Sequence, residues 1–372
     1  MQQAMPLGDA QATPSQHPLV GEQKDIRYYG SQARSLLNSP ETTGMPFWSI
    51  NPYVGCAFGC AYCYARYAHR FVMERGTLAT EGVEGEGDGD GAEVLPPWLA
   101  FERRIFVKRN AAEVLRRTLR DRGSAAGAVQ RGETIVLGTA TDPYQPAERL
   151  FRVTRAVLEV LAEAKGLKLV IITKSPLITR DLDLLVRIAQ RSTLTVHLSL
   201  ITLDRELARR IEPRAPTPEA RLRALRRLSA AGIEAGVNIM PVLPGVTDRP
   251  DALAALVRRI AAEGATHVNP SPLRLRATAR KRYLPFLAAE FPHLVTRYAD
   301  AYAHSHEMPA GYRDGLRRFM KRLCTEVGLQ YGTPDERAFE PRAGAAWTGA
   351  DAHGAEDTSP PPPPAQLEFL AS

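Results

Sequence analysis

Residues Asn51 to Arg70 read NPYVGCAFGCAYCYARYAHR, and three of the chain's four cysteines, Cys56, Cys60 and Cys63, fall within eight residues of this stretch. Gly55 and Gly59 stand immediately before the first two. Glycine lets a backbone turn back on itself, so three thiolates on one short loop can converge on a soft metal centre. One further donor must come from elsewhere. A closed zinc site would take four ligands, and His69, six residues past Cys63, would be the fourth; zinc ligands, however, usually come as two separated pairs. A disulfide would leave an odd thiol, and the first residues show no secretion signal. An iron–sulfur cluster held by three cysteines has one iron without a protein thiolate, and that iron is open to a substrate or cofactor.

The spacing Cys-x3-Cys-x2-Cys, with the aromatic Tyr62 just before the last cysteine, resembles the signature of the radical S-adenosylmethionine (radical SAM) enzymes. The resemblance implies a site-differentiated 4Fe-4S cluster on Cys56, Cys60 and Cys63. It further implies SAM chelated through its methionine amino and carboxylate groups to the open iron, and an external electron donor. Reductive cleavage of the sulfonium would then give a 5'-deoxyadenosyl radical.

At 372 residues, 44% hydrophobic and 24% charged, the chain has the composition of a soluble globular protein. It is long enough for one domain of about 250 residues plus tails. The absence of an apolar run of about 18 residues predicts no membrane span, and three closely spaced reduced cysteines fit a cytoplasmic location. The net charge is +7, yet residues Glu81 to Glu93 carry six acids and no base, so the rest is more basic still. A basic balance permits a nucleic-acid partner without demanding one.

Residues 1–25, rich in Gln, Pro and small side chains, are expected to form a disordered tail. Phe47 to Val54 reads as the first strand, with Tyr64 to Met73 as the helix after the cysteines. Thr80 to Ala92, TEGVEGEGDGDGA, has five glycines and five acids and reads as an exposed insertion; the ligand order of an EF-hand is missing from it. Apolar runs at Arg104–Lys108, Thr134–Gly138, Leu167–Thr173, Leu194–Leu200, Ile233–Met240 and Thr266–Asn269 alternate with amphipathic stretches. Near-continuous apolar strands separated by helices predict an α/β fold of parallel strands covered by helices. The count is roughly six strand–helix units, short of the eight of a closed barrel. The resemblance implies a partial (β/α)6 barrel, here over residues 26–278. Residues 279–331 read as a C-terminal helical cap interrupted at Pro285, Pro292 and Pro309, and 332–372 as a disordered, proline-rich tail.

In parallel α/β folds the chemistry gathers at the carboxyl ends of the strands. After the second core strand comes Thr139-Ala140-Thr141-Asp142-Pro143-Tyr144-Gln145-Pro146. Its two threonines, Asp142 and Gln145 could accept bonds from a cationic amine, although Asp142 before Pro143 also suits a plain turn and helix cap. The resemblance places the methionine amino group of SAM at this strand end, without the usual Gly-Gly-Glu. Lys174 follows the third strand, where a carboxylate could pair with it or where it could simply be solvated. Ser199 ends the fourth strand, facing the same side if Val196, Leu198 and Leu200 face outward. Glu212-Pro213 and then Arg221 follow.

These strand-end motifs, with NPYVGC, GCAYCYAR and TDPYQP, resemble relatives of the spore photoproduct lyase branch. The lyases keep a hydrogen-donating cysteine near the end of the second strand, and Thr139 to Asp142 contains no thiol. Lesion reversal by that route is therefore not expected. Cys324, between Leu323 and Val327, reads as a buried small hydrophobe, with a hydrogen donor or ligand as its functional alternative. Arg274, Arg276, Arg280, Lys281 and Arg282 either line the barrel mouth or start a solvated helix. The substrate is not specified by any of these residues.

Overall fold

A computed structural model describes residues 18–69, 95–121 and 123–333. Its frame is an open eight-stranded sheet. Six consecutive members run in parallel, β4 (Trp48–Ile50), β7 (Thr134–Leu137), β8 (Lys168–Thr173), β9 (Thr193–Ser199), β10 (Glu234–Val242) and β11 (His267–Pro272). The short β12 (Gln330–Tyr331) adds a further parallel edge beside β11, and β3 (Leu37–Asn38) closes the other edge antiparallel to β4. This is the α/β fold of parallel strands that the alternating sequence pattern predicts, in the open form that the radical SAM resemblance implies.

Parallel strands demand long crossovers, and helices supply them, including Val153–Glu163, Leu182–Ala189, Pro218–Ala230 and Pro250–Ala262. Side chains alternate across each strand. Leu137, Leu169, Ile171, Val196, Leu198, Val237, Ile239 and Val268 therefore point to the helices, where all are buried with Val157, Leu161, Leu185, Leu225 and Val257 in the main core. Burying each such side chain stabilises the fold by roughly 1.5–3 kcal/mol. The opposite face is different in kind. Thr195, His197, Ser199, Asn238 and His267 are buried on it, and its apolar part is a small separate group of Phe47, Val136 and Val170. Register aligns Ser199 with Asn238 and Asn238 with Asn269, a row of small polar groups across three strands.

Several sequence expectations change. Phe47 to Val54 is not one strand: β4 and β5 (Tyr53–Val54) belong to different sheets, and Pro52 between them has no amide hydrogen for a ladder. The second sheet has four strands in the order β1 (Leu19–Gln23), β2 (Ile26–Ser31), β6 (Arg104–Lys108), β5. Leu19–Gln23 is therefore an ordered strand rather than tail, because it pairs antiparallel with β2 across the turn at Lys24 and Asp25. Likewise Arg104–Lys108 pairs in parallel with β2, outside the barrel. Of the helix expected over Tyr64 to Met73, Tyr64–His69 forms a 3-10 helix, and residues 70–73 lie outside the described residues. Pro285 does not interrupt its helix, which runs Ala277–Glu290. The 80–92 insertion, residues 1–17 and most of the C-terminal tail lie outside the described residues.

Candidate active site

The cysteine loop is clamped from three directions. Gly55 has φ 85, and a Cβ there would come 2.8 Å from the Phe101 carbonyl and 2.9 Å from that of Arg104. The left-handed turn and the close approach both require glycine. Next to it, the Cys56 amide donates to the Phe101 carbonyl at 2.9 Å. From the β7 exit, Thr141 Oγ1 donates to the Gly55 carbonyl at 2.6 Å and Gln145 Nε2 to the same carbonyl at 3.0 Å, while the Ala57 amide donates to Gln145 Oε1 at 2.9 Å. From the β9 exit, the Ala61 amide donates to the Ile211 carbonyl at 3.0 Å. Two strand ends and the helix Pro97–Arg103 thus hold the thiols at the carboxyl edge of the sheet.

Cys56 and Cys60 are buried and Cys63 is half-buried, and none forms a disulfide. Burial, with Asp142 and Cys63 adding to it, pushes the Cys56 thiol up to about 12. The Cys60 thiol is also raised well above its ordinary value, by burial first, against the pull of Lys174. Unligated, both stay protonated at neutral pH; a metal that takes them must displace the protons. Among the described residues no three His, Cys, Asp or Glu side chains converge on a single metal ion.

Beside Cys60 lies a buried ionic group. The Tyr62 hydroxyl and the Arg221 guanidinium both donate to Glu212, and Lys174 Nζ stands 3.9 Å from Glu212 Oε1 and 5.6 Å from the Tyr62 ring centre. Burial works against the Glu212 charge, but Arg221 and Lys174 outweigh it and hold the carboxyl below its usual range. For Lys174 burial pulls the other way; Cys60 and Glu212 overcome it and keep the ammonium above its usual range. Lys174 is therefore a charged lysine at the edge of the cysteine loop rather than a solvated one.

The other strand-end residues divide by how much bonding capacity they retain. Asp142 accepts from the Tyr144 amide at 2.9 Å, Thr173 Oγ1 at 2.7 Å and the Lys174 amide at 2.7 Å. A carboxylate has about four lone-pair positions, so little is left for an amine. The Thr141 hydroxyl is committed to Gly55, and Arg221 to Glu212, the Ser199 carbonyl and the Pro216 carbonyl. Thr139 is part-exposed, and its Oγ1 accepts from Asn51 Nδ2 at 3.1 Å. Ser199 lies on the polar inner face. Gln145, which the sequence offers as an acceptor for a cationic amine, instead braces the cysteine loop through both ends of its amide, and Glu212, noted in the sequence beside Pro213 without a role, is the counter-charge of Arg221. Cys324 is buried in the main core on the helix Ala310–Glu326, which packs on β11 and β12. Arg274 pairs with Glu307 at 3.1 Å and Arg280 donates to the Tyr302 carbonyl at 3.3 Å.

The model of the radical SAM superfamily matches residues 50–257, more than half of the chain. The chain belongs to the radical SAM superfamily. An uncharacterised protein of Mycobacterium tuberculosis is 36% identical over 323 residues, covering 86% of each chain. A protein of Pseudomonas phage M6 named radical SAM Nalpha-GlyT isomerase is 26% identical over 356 residues, 91% of this chain and 62% of its own. Among solved structures, a spore photoproduct lyase complexed with dinucleoside spore photoproduct superposes with TM-score 0.55 at 14% identity, covering 84% of this chain and 86% of the lyase; the two share the fold. Radical SAM membership makes this chain an enzyme and implies a 4Fe-4S cluster and SAM. Among the described residues no helix is long and apolar enough to cross a membrane.

Proposed function

We propose that Cys56, Cys60 and Cys63 each ligate one iron of a 4Fe-4S cluster whose open iron binds SAM. The observation that carries this reading is the set of three thiols in Cys-x3-Cys-x2-Cys order on a loop anchored at the carboxyl ends of parallel strands. The chemistry the cluster supplies when bound is one electron to the sulfonium of SAM, giving methionine and a 5'-deoxyadenosyl radical that abstracts hydrogen from the substrate.

The chain's own residues prepare that site. Lys174 offers an ammonium to the carboxylate of SAM, and Glu212 keeps that ammonium charged and oriented. Thr139 retains hydroxyl capacity for the cofactor's amine, and Ser199 lines the inner face. Asp142, Thr141, Tyr62 and Arg221 act one step back, by fixing Lys174, the cysteine loop and Glu212. Anaerobic purification followed by iron, sulfide and zinc analysis tests the cluster; one zinc and no iron overturns it. With reductant and SAM, 5'-deoxyadenosine and methionine should accumulate.

A nucleic-acid substrate is the second reading, favoured by the fold shared with a lyase solved "with bound AdoMet and dinucleoside spore photoproduct" and by the basic balance of the chain. The stretch 139–142 holds no thiol, so DNA containing spore photoproduct should not be restored to thymines.

A further inference from the structure

Four arginines crowd two carboxylates against the cysteine loop. Arg66, fully buried, pairs with Glu102 at 2.6 Å and donates to the Cys60 carbonyl at 2.8 Å. Arg214 Nη1 donates to the carbonyls of Ala57 and Glu102, each at 3.2 Å, and its Nη2 lies 3.3 Å from Asp25. Arg103 stands 3.6 Å from Asp25, and Arg282 stands 3.9 Å from Glu102. Among the described residues, four guanidiniums thus share two carboxylates, an excess of two positive charges. Among the described residues, Arg66, Arg103 and Arg282 each keep a buried Nε without a hydrogen-bond partner. Burial, opposed by Glu102 and reinforced by Arg66, Arg214 and Arg103, pulls Arg282 below the usual arginine range.

A fold gains nothing from crowding like charges, and the proposed mechanism uses none of these four. The patch nonetheless reaches solvent. The side chains of Arg103, Arg214 and Arg282 are 35%, 29% and 27% exposed, and exposed Lys281 adds its ammonium 5.0 Å over the ring of Trp98, whose carbonyl accepts from Arg66. Two of the arginines also bond directly to backbone carbonyls of the loop, those of Cys60 and Ala57. An anionic partner seated here approaches the thiols without entering the polar inner face, which stays free for substrate. That separation favours a reductant over a nucleic acid, whose reacting group must reach the inner face.

We propose that Arg103, Arg214, Arg282 and Lys281 form the docking surface for the acidic face of a small one-electron carrier protein, with Arg66 and Glu102 tying that surface to the cysteine loop. This rests on the cluster reading. In the step it serves, the carrier is oxidised by one electron and the cluster is reduced by one, with no atom transferred.

The test uses the full chain, a purified flavodoxin as acidic carrier, and the variants Arg282→Glu, Lys281→Glu and Arg103→Glu, with exposed Arg258→Glu on the helix Pro250–Ala262 as control. Each patch variant should weaken flavodoxin binding by about tenfold at low salt and steeply reduce the wild-type salt dependence. Cluster reduction by reduced flavodoxin should slow to match, while reduction by dithionite and the Arg258→Glu control stay at the wild-type rate. Unchanged flavodoxin binding, an equal loss with dithionite, or a salt-sensitive affinity of the same patch for DNA but not for flavodoxin would overturn the proposal. Flavodoxin binding is also read on the metal-free chain, so a protein without iron sinks the cluster reading while the docking surface is still decided.

Discussion

The Tyr62 hydroxyl donates to Oε1 of Glu212, 150 positions away in sequence, and so ties the residue before the last loop cysteine to the exit of β9. Glu212 is at once the counter-charge of Arg221 and the near neighbour of Lys174. One buried carboxylate therefore couples loop position to the charge of the lysine beside it.

That coupling predicts an order of severity. Tyr62→Phe keeps the ring against Lys174 and loses one charge-assisted bond, a cost of about 1.5–3 kcal/mol. Glu212→Gln leaves a buried guanidinium without its counter-charge, which costs roughly 3–5 kcal/mol. Chemical denaturation should rank Glu212→Gln below Tyr62→Phe, and SAM affinity should fall in the former. Equal midpoints for the two variants would show that Glu212 does not brace the site.

For the cysteines, iron content is the readout. Cys56→Ala, Cys60→Ala and Cys63→Ala should each lose the intact cluster, and Cys324→Ala should keep it, since Cys324 is packed among core residues on the last helix. Full iron in any of the first three would contradict the ligand assignment. Cys324→Ala should still destabilise, because a buried side chain is removed.

The contrast between these residues marks what a sequence can disclose. The barrel strands are legible because runs such as Thr134–Leu137 and Lys168–Thr173 are apolar on the face that helices cover, and the loop cysteines because their spacing is local. Pairing is not local. Nothing in Leu19–Gln23 announces that it has β2 as a partner, and the Tyr53–Val54 segment joins a different sheet from β4 only because β6 lies alongside it. Gln145 and Glu212 likewise matter through bonds to Gly55, Ala57 and Tyr62 across large sequence separations. Asp142 reads as open to a ligand in the sequence, but its three donors come from a turn and a neighbouring strand end.

A steric prediction follows from the inner face. An added Cβ at Gly236 would sit 2.3 Å from Nε2 of His267, whose ring is fully buried, bonded through Nδ1 to Thr266 Oγ1 at 2.8 Å, and 4.8 Å from the His197 ring. Gly236→Ala should destabilise by about 1–3 kcal/mol through overpacking. Combined with His267→Ala the two costs should be less than additive. Simple additivity would mean that the ring moves aside at no cost.

The same two histidines set a pH dependence. Burial, with His267 adding to it and Asn238 opposing, lowers His197 to about 3, and burial lowers His267 to about 4, both from an ordinary 6.5. Groups depressed in the folded state give stability that is whole above the unfolded value and is lost as pH falls toward the folded one. Asp248 acts in the opposite sense. Burial raises it to about 6 from 3.8, against bonds from Tyr312 and Gly245, so its contribution is whole below the unfolded value and is lost as pH rises through about 6. Between pH 5 and 6 the unfolded chain holds about two more protons on the histidines and one fewer on Asp248, so these groups together make stability rise with pH by about 1.4 kcal/mol per unit. Asp248→Asn removes the opposing group and should roughly double that slope. His197→Gln with His267→Gln should reverse its sign. The check is urea denaturation of wild type and both variants at several pH values in that window, taking differences so that other titrating groups cancel. Parallel curves for all three proteins would show that neither the histidine pair nor Asp248 titrates differently in the folded and unfolded chain.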